Sequence, residues 1–315
     1  MTAMTALVHL ASGVGNIVLA TPLLVALAEL GFTLDVYLDA DYPQTADLLR
    51  PWSVVREVHS SHQLDARWLK QYDVVVPAIP PFYWRRFAAV YHGQSRAVAR
   101  PPDRLFAEAE QAYYLAFART LGYSRDARPT CQLPVGPRDD EDRVDLRSVV
   151  IAPGCKTGSM AAKRWPYFPD LAARFSDVAI VGTPDDLRRH DGSEMRFPPH
   201  VKSFVGTLTL RGTAELMASA GVVVANDSGL AHVAAAVGTP TVMLFGPTAD
   251  ACLGPLPPNA LVARAGLPCE PCWMTAPLAA CAGRVECLAQ LSVDAIERHV
   301  RTLVGGDQQP TTSDP

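Results

Sequence analysis

The sequence has no apolar run close to the eighteen or so residues that a membrane-spanning helix requires, and no basic segment precedes its first apolar stretch at residues 7–10. It therefore reads as lacking both a span and a signal peptide, and a cytoplasmic location is expected. Net charge is also small. The 28 basic and 32 acidic side chains leave −4, so no global field recruits nucleic acid or an anionic membrane surface. Lysine is scarce, with only Lys70, Lys156, Lys163 and Lys202 among the basic residues, and no internal repeat is visible. Seven cysteines without a secretory signal argue against a disulfide framework. In a reducing compartment, clustered thiols are more readily metal ligands.

What is present is enough hydrophobic material for two cores. The chain has 315 residues, 49% hydrophobic and 19% charged, about twice the length of a typical domain. Short apolar runs alternate with amphipathic stretches, the pattern of repeated βα units. Strands are expected at residues 7–10, 34–38, 54–58, 74–76, 149–152, 178–181, 201–205, 222–225 and 241–245. Helices are expected at 17–30, 106–121, 167–175, 210–220, 230–237 and 293–303. The polar, acidic stretch VGPRDDEDRVD at 135–145 is the best linker. It divides residues 1–140 from 141–304, with a disordered tail at 305–315. The expected fold class is α/β, two similar halves facing across a cleft, with the carboxyl ends of both sheets turned toward it.

The most informative stretch is VVVANDSGLAHVAAAVGTPTVMLFGPT, residues 222–248. A buried strand ends and Asn226-Asp227-Ser228-Gly229 turns directly into an apolar helix. That arrangement can hold a phosphate at a helix N-terminus, with the Ser228 hydroxyl and free amides as donors. A capped helix would read the same way. A second loop opens the same half: Pro153-Gly154-Cys155-Lys156-Thr157-Gly158-Ser159, then Lys163-Arg164-Trp165-Pro166. Small residues, hydroxyls and two of the four lysines suit a diphosphate, with Lys163 as the charge. A solvated basic loop is the plainer alternative.

These motifs, in this order, resemble those of the bacterial heptosyltransferases, glycosyltransferase family 9. The residues carrying the resemblance are Pro153-Gly154, Lys163–Pro166, Asp227-Ser228-Gly229-Leu230-Ala231-His232 and Phe245-Gly246-Pro247-Thr248, with the Thr-Pro-Leu-Leu helix start at 21–24. The resemblance implies a GT-B architecture of two Rossmann-like domains, acceptor on the first and nucleotide-sugar on the second. It implies donor contacts from Gly154, Lys156, Thr157, Lys163, Asp227, Ser228, Gly229 and Leu230. Asp186 would meet the ribose and Leu208 the base. It also implies inversion at the anomeric carbon with no cofactor or catalytic metal, the helix end and Lys163 stabilising the leaving diphosphate.

One position departs from the family. The family usually has Gly-Asp at the first turn, with that Asp as general base, whereas here Gly13-Val14-Gly15-Asn16 ends in an amide. An amide cannot accept a proton near neutrality. Replacement candidates are His9, Asp39, Asp41 and His92. The same turn is a broken dinucleotide fingerprint, with Val18 where the third glycine belongs. On the acceptor side, Arg85, Arg86, Arg96, Arg100 and Arg104 lie among Phe82, Tyr83, Trp84 and Tyr91. They suit a phosphorylated or saccharide acceptor, or a solvated helix face. Cys269-x2-Cys272-x8-Cys281-x5-Cys287 is a candidate structural site for zinc or iron, the alternative being packed, reduced thiols. The expected activity is heptosyl transfer, catalysis centring on Asn16, Lys163 and Asp227. The donor would be a nucleotide-diphosphate sugar, ADP-heptose first, and the acceptor a saccharide or natural product. A binder that has lost catalysis and a sugar-nucleotide epimerase are the alternatives.

Overall fold

The computed structural model describes residues 4–10, 13–38, 43–60, 64–80, 84–91, 97–98, 109–125, 129–138, 144–145, 148–272, 281 and 284–305. The described strands form two sheets in which every pairing is parallel. The first runs β3-β2-β1-β4-β5. It consists of β1 (Thr5–Leu10), β2 (Thr33–Leu38), β3 (Val55–His59), β4 (Val74–Ala78) and β5 (Ala97–Val98). The second runs β11-β10-β9-β6-β7-β8. Its strands are β6 (Val149–Ala152), β7 (Val178–Ile180), β8 (Lys202–Ser203), β9 (Val222–Asn226), β10 (Thr241–Leu244) and β11 (Ala260–Ala263). β4, β6, β9 and β10 are buried at every position. Strands covered on both faces need such unbroken Val, Ile, Leu and Ala runs.

Helices cover these sheets. In the first half they are α1 (Val14–Leu19), α2 (Thr21–Glu29), α3 (Ala46–Leu49), α4 (Ala66–Leu69), α5 (Trp84–Tyr91) and α6 (Glu110–Thr120). In the second they are α7 (Phe168–Ala172), α8 (Leu210–Ser219), α9 (Gly229–Ala236), α10 (Glu286–Ala289) and α11 (Val293–Gly305). The single helix expected at 17–30 is two. The break falls at Ala20 because Pro22 lies in the first turn of α2, where its missing N–H costs nothing. The strand expected at 201–205 shrinks to two exposed residues. α11 continues through Gly305, where the tail was expected to begin, and 306–315 lie outside the described residues.

Topology then sets where a ligand can bind. Strand order reverses beside β1 in the first sheet and between β6 and β9 in the second. At such switch points the loops leaving the carboxyl ends diverge and open a crevice. The two crevices face each other because the halves pack as one body around shared apolar residues. Val8 and Leu24 belong to the same buried cluster as Val223 and Phe245. Backbone hydrogen bonds cross the junction from Leu133 N to Ala236 O (2.9 Å) and from Gln111 N to Leu253 O (3.1 Å). No helix among the described residues is long and apolar enough to cross a membrane.

Candidate active site

A cavity of about 680 Å³ lies between the carboxyl ends of β1, β6 and β9. Its floor is the meeting of two helix starts. Gly229, opening α9, packs so closely on α1 that a Cβ there would sit 2.9 Å from Val14 Cβ and 3.2 Å from the Gly15 nitrogen. Glycine is needed there because backbone would have to yield. Ser228 precedes α9 in extended conformation at the N-cap but makes no side-chain cap bond. Its Oγ is buried without a hydrogen-bond partner. A buried hydroxyl left unpaired costs free energy, so this one is poised for a partner that enters the cavity beside the open amides of α9.

The loops around this floor are tied by buried polar groups. Asn226 Nδ2 donates to the Pro153 carbonyl (2.6 Å), and its Oδ1 accepts from Trp165 N (3.0 Å). Asn226 is fully buried. The Arg164 guanidinium, also buried, donates to the carbonyls of Cys155, Asp185 and Arg188. It thereby fixes the loop after β7 against the loop after β6. Asp227 is held from three sides. Its Oδ2 accepts from Lys163 Nζ (2.9 Å) and Thr248 Oγ1 (2.8 Å), and its Oδ1 is 4.0 Å from His232 Nε2. Burial works against its ionisation, but Lys163 and His232 outweigh that and hold the carboxyl below the usual range. Burial lowers the His232 imidazole, against the pull of Asp227.

Several expected residues line this cavity together: Gly13, Gly15 and Asn16 from the first half, and Gly154, Lys156, Thr157, Asp186, Asp227, Ser228, Gly229 and Leu230 from the second. Four others stand elsewhere. Lys163 is paired with Asp227 and is not among the lining residues. Leu208 packs half-buried against the shared core. Arg85 and Arg86 are exposed on α5, away from the lining. Asp186 lines the cavity, but its Oδ2 already accepts from Thr183 N (2.7 Å) and Thr183 Oγ1 (2.9 Å). A Cβ on Gly154 would fall 2.2 Å from that carboxyl, which explains the glycine.

Of the replacement bases, Asp39, Asp41 and His92 lie outside the described residues, as do Phe82, Tyr83, Arg96, Arg100 and Arg104. His9 is fully buried among Tyr37, Phe87 and Tyr91, and burial, aided by Arg86, pushes its imidazole down to about 3. It packs the first half and does not line the cavity. Beside Asp185, Asp186 and Asp227, the cavity is lined by a further acid unforeseen in the sequence, Glu110. Asn16 Nδ2 donates to Glu110 Oε1 (2.5 Å), as does the Tyr114 hydroxyl (2.7 Å). Burial raises the Glu110 carboxyl above its ordinary range, only partly opposed by those two donors. The sole sequence signal was an acid opening an otherwise apolar helix.

Cys269, Cys272, Cys281 and Cys287, the last of them in α10, form no disulfide among the described residues. Burial, then Cys269 and Cys281, raises the Cys272 thiol, and burial pushes Cys287 up to about 12. Among the described residues, no three of these sulfurs lie within 4.8 Å of one another. Asp35, Glu57 and His59 do reach that spacing. However, Asp35 is already held by Arg56 (2.7 and 2.8 Å) and the Tyr72 hydroxyl (2.8 Å).

Two parallel α/β halves with a cavity between their switch points are the GT-B architecture, as in the structure of E. coli ADP-heptose LPS heptosyltransferase II. That structure matches with a TM-score of 0.72 and 21% identity over 97% of this chain and 100% of that one. The chain belongs to glycosyltransferase family 9 (heptosyltransferase), whose model matches residues 88–280. It is 33% identical over 124 residues to lipooligosaccharide heptosyltransferase 2 of Haemophilus influenzae, a match covering 36% of this chain and 35% of that relative. The aligned stretch thus spans about a third of that relative. The iron-containing dodecameric glycosyltransferase TibC of enterotoxigenic E. coli shares the fold at TM-score 0.63 and 13% identity, over 96% of this chain and 77% of that one.

Proposed function

We propose that this protein is a cytoplasmic, inverting glycosyltransferase that moves a heptose or related sugar from a nucleotide-diphosphate donor to a saccharide or natural-product hydroxyl. ADP-heptose is the first donor to test. The observation that carries the reading is the unpartnered, buried Ser228 hydroxyl at the open N-terminus of α9, inside the cavity that also takes Lys156 and Thr157. A diphosphate satisfies that hydroxyl and the amides behind it, and Lys156 adds charge. In this reading residues 141–304 hold the donor and 1–140 the acceptor, with Asp227 and Lys163 stabilising the turn behind the diphosphate. Leaving-group stabilisation by helix end and lysine replaces a catalytic metal.

The four cysteines complete the proposal as a structural site for zinc or iron. Four sulfur donors suit a soft tetrahedral ion, and the iron of TibC adds support. Binding would require the sulfurs to approach one another to ligand distance. Four thiolates leave no position for substrate, so no catalytic step runs through that ion.

Incubation with ADP-heptose and deacylated lipopolysaccharide core, read by mass spectrometry, tests the function. A heptosylated product is expected. An isomerised donor without transfer would replace the reading with epimerisation, and an intact donor with bound nucleotide would replace it with a binding role.

A further inference from the structure

The first turn of α1 presents an amide, Asn16, which cannot accept a proton near neutrality, and that amide is paired in the cavity with a carboxylate from a different element. Glu110 is the first residue of α6, 94 positions along the chain from Asn16. The Asn16 side chain is oriented by its own turn. Its Oδ1 accepts from the Gly13 amide (3.2 Å), which leaves Nδ2 directed at Glu110 Oε1. Tyr114, one helical turn on, donates to the same oxygen (2.7 Å). Oε1 is therefore held by two donors. Oε2 has no hydrogen-bond partner among the described residues, and the residue lines the cavity. An aspartate at position 16 would have no hydrogen to offer Glu110, so the amide and the glutamate form a matched pair.

We propose that Glu110 is the general base of this enzyme and that Asn16 is the positioning residue that aims it. The inference rests on the glycosyl-transfer reading above. As the acceptor oxygen bonds to the anomeric carbon, its proton passes to the Glu110 carboxylate. The bond from that carbon to the diphosphate oxygen breaks, and its electron pair leaves with the diphosphate. The groups facing Glu110 are Asn16 from α1, Tyr114 from its own helix, Asp227 from the turn before α9, Lys156 from the loop after β6 and the Cys131 thiol. Burial and Asp227 raise the carboxyl, while Asn16, Tyr114 and Lys156 lower it. The net upward direction favours a base that works near neutral pH.

The test uses the full-length protein with ADP-heptose as donor and water as the nucleophile, ADP release as the rate, and calorimetric binding of ADP as the control. Glu110→Gln should slow release by about a hundredfold or more while ADP affinity stays within about twofold. In the wild type, log(kcat/KM) should rise with pH along one ionisation, and Glu110→Gln should abolish that limb. Glu110→Asp, which keeps a carboxylate, should give an intermediate rate and covers the case in which the glutamine variant is unstable. Asn16→Asp should move the ionisation upward, because two carboxylates in contact share a proton. Wild-type rate and pH profile in Glu110→Gln would overturn the assignment alone. A wild type that binds no ADP would overturn the donor reading and this assignment with it.

Discussion

At the residue scale, the ion pair of Lys163 and Asp227 separates structural support from donor contact. Both side chains are largely buried, 14% and 10% exposed, and removing one partner strands the other charge. Lys163→Ala should therefore destabilise the fold by about 3 kcal/mol, read as a fall in the denaturation midpoint, with weaker activity following from the loss. Lys156→Ala should leave stability near wild type and weaken ADP binding. An Lys163→Ala variant of native stability that loses only donor affinity would return Lys163 to the diphosphate. The pair also fixes a pH dependence. The Asp227 carboxyl is depressed in the folded protein. Its contribution is thus full above the unfolded carboxylate value, about 3.9, and disappears as pH falls through the lower folded value. Asp227→Asn should flatten that acid limb of a stability curve. Asp227, Ser228 and Gly229 were legible in sequence because strand, turn, glycine and helix are contiguous there. Glu110 was not, because an acid opening a helix reads as a complement to its dipole, and its contact with Asn16 exists only after folding.

At the element scale, the junction of α1 and α9 carries the site. Adding a methyl group at Gly229 drives against Val14 Cβ and the Gly15 backbone. Gly229→Ala should cost about 1–3 kcal/mol by overpacking and weaken ADP binding as the two helix starts move apart. Native stability in that variant would mean that the junction is looser than these contacts require. The long apolar strands were readable from unbroken Val and Ile runs. The short edge strands β5 and β11 were not, since two to four residues at a sheet margin carry no periodicity. The division of the first helix into α1 and α2 turned on Pro22, a residue whose position in a first turn is visible only once the turn is placed.

At the scale of the whole molecule, two parallel sheets with opposed switch points bring residues from positions 13 to 253 into one cavity. The alternation of βα units specified the architecture, but not which side chains would converge across it. Arg85 and Arg86 illustrate the point: their pattern suits an acceptor site or a solvated helix face, and the fold sets them exposed on α5 outside the cavity lining. Metal analysis of the purified protein should find close to one equivalent of zinc or iron, and Cys269→Ser with Cys272→Ser should lower stability before donor affinity. Metal-free protein with four titratable thiols would remove that site. The central claim is that the start of α9 holds a nucleotide diphosphate, and calorimetric titration of the full-length protein with ADP tests it most directly. One saturable site is expected, weakened about tenfold in Ser228→Ala, in line with the loss of one charge-assisted hydrogen bond. No saturable heat from the wild type, or equal affinity in the variant, would contradict it.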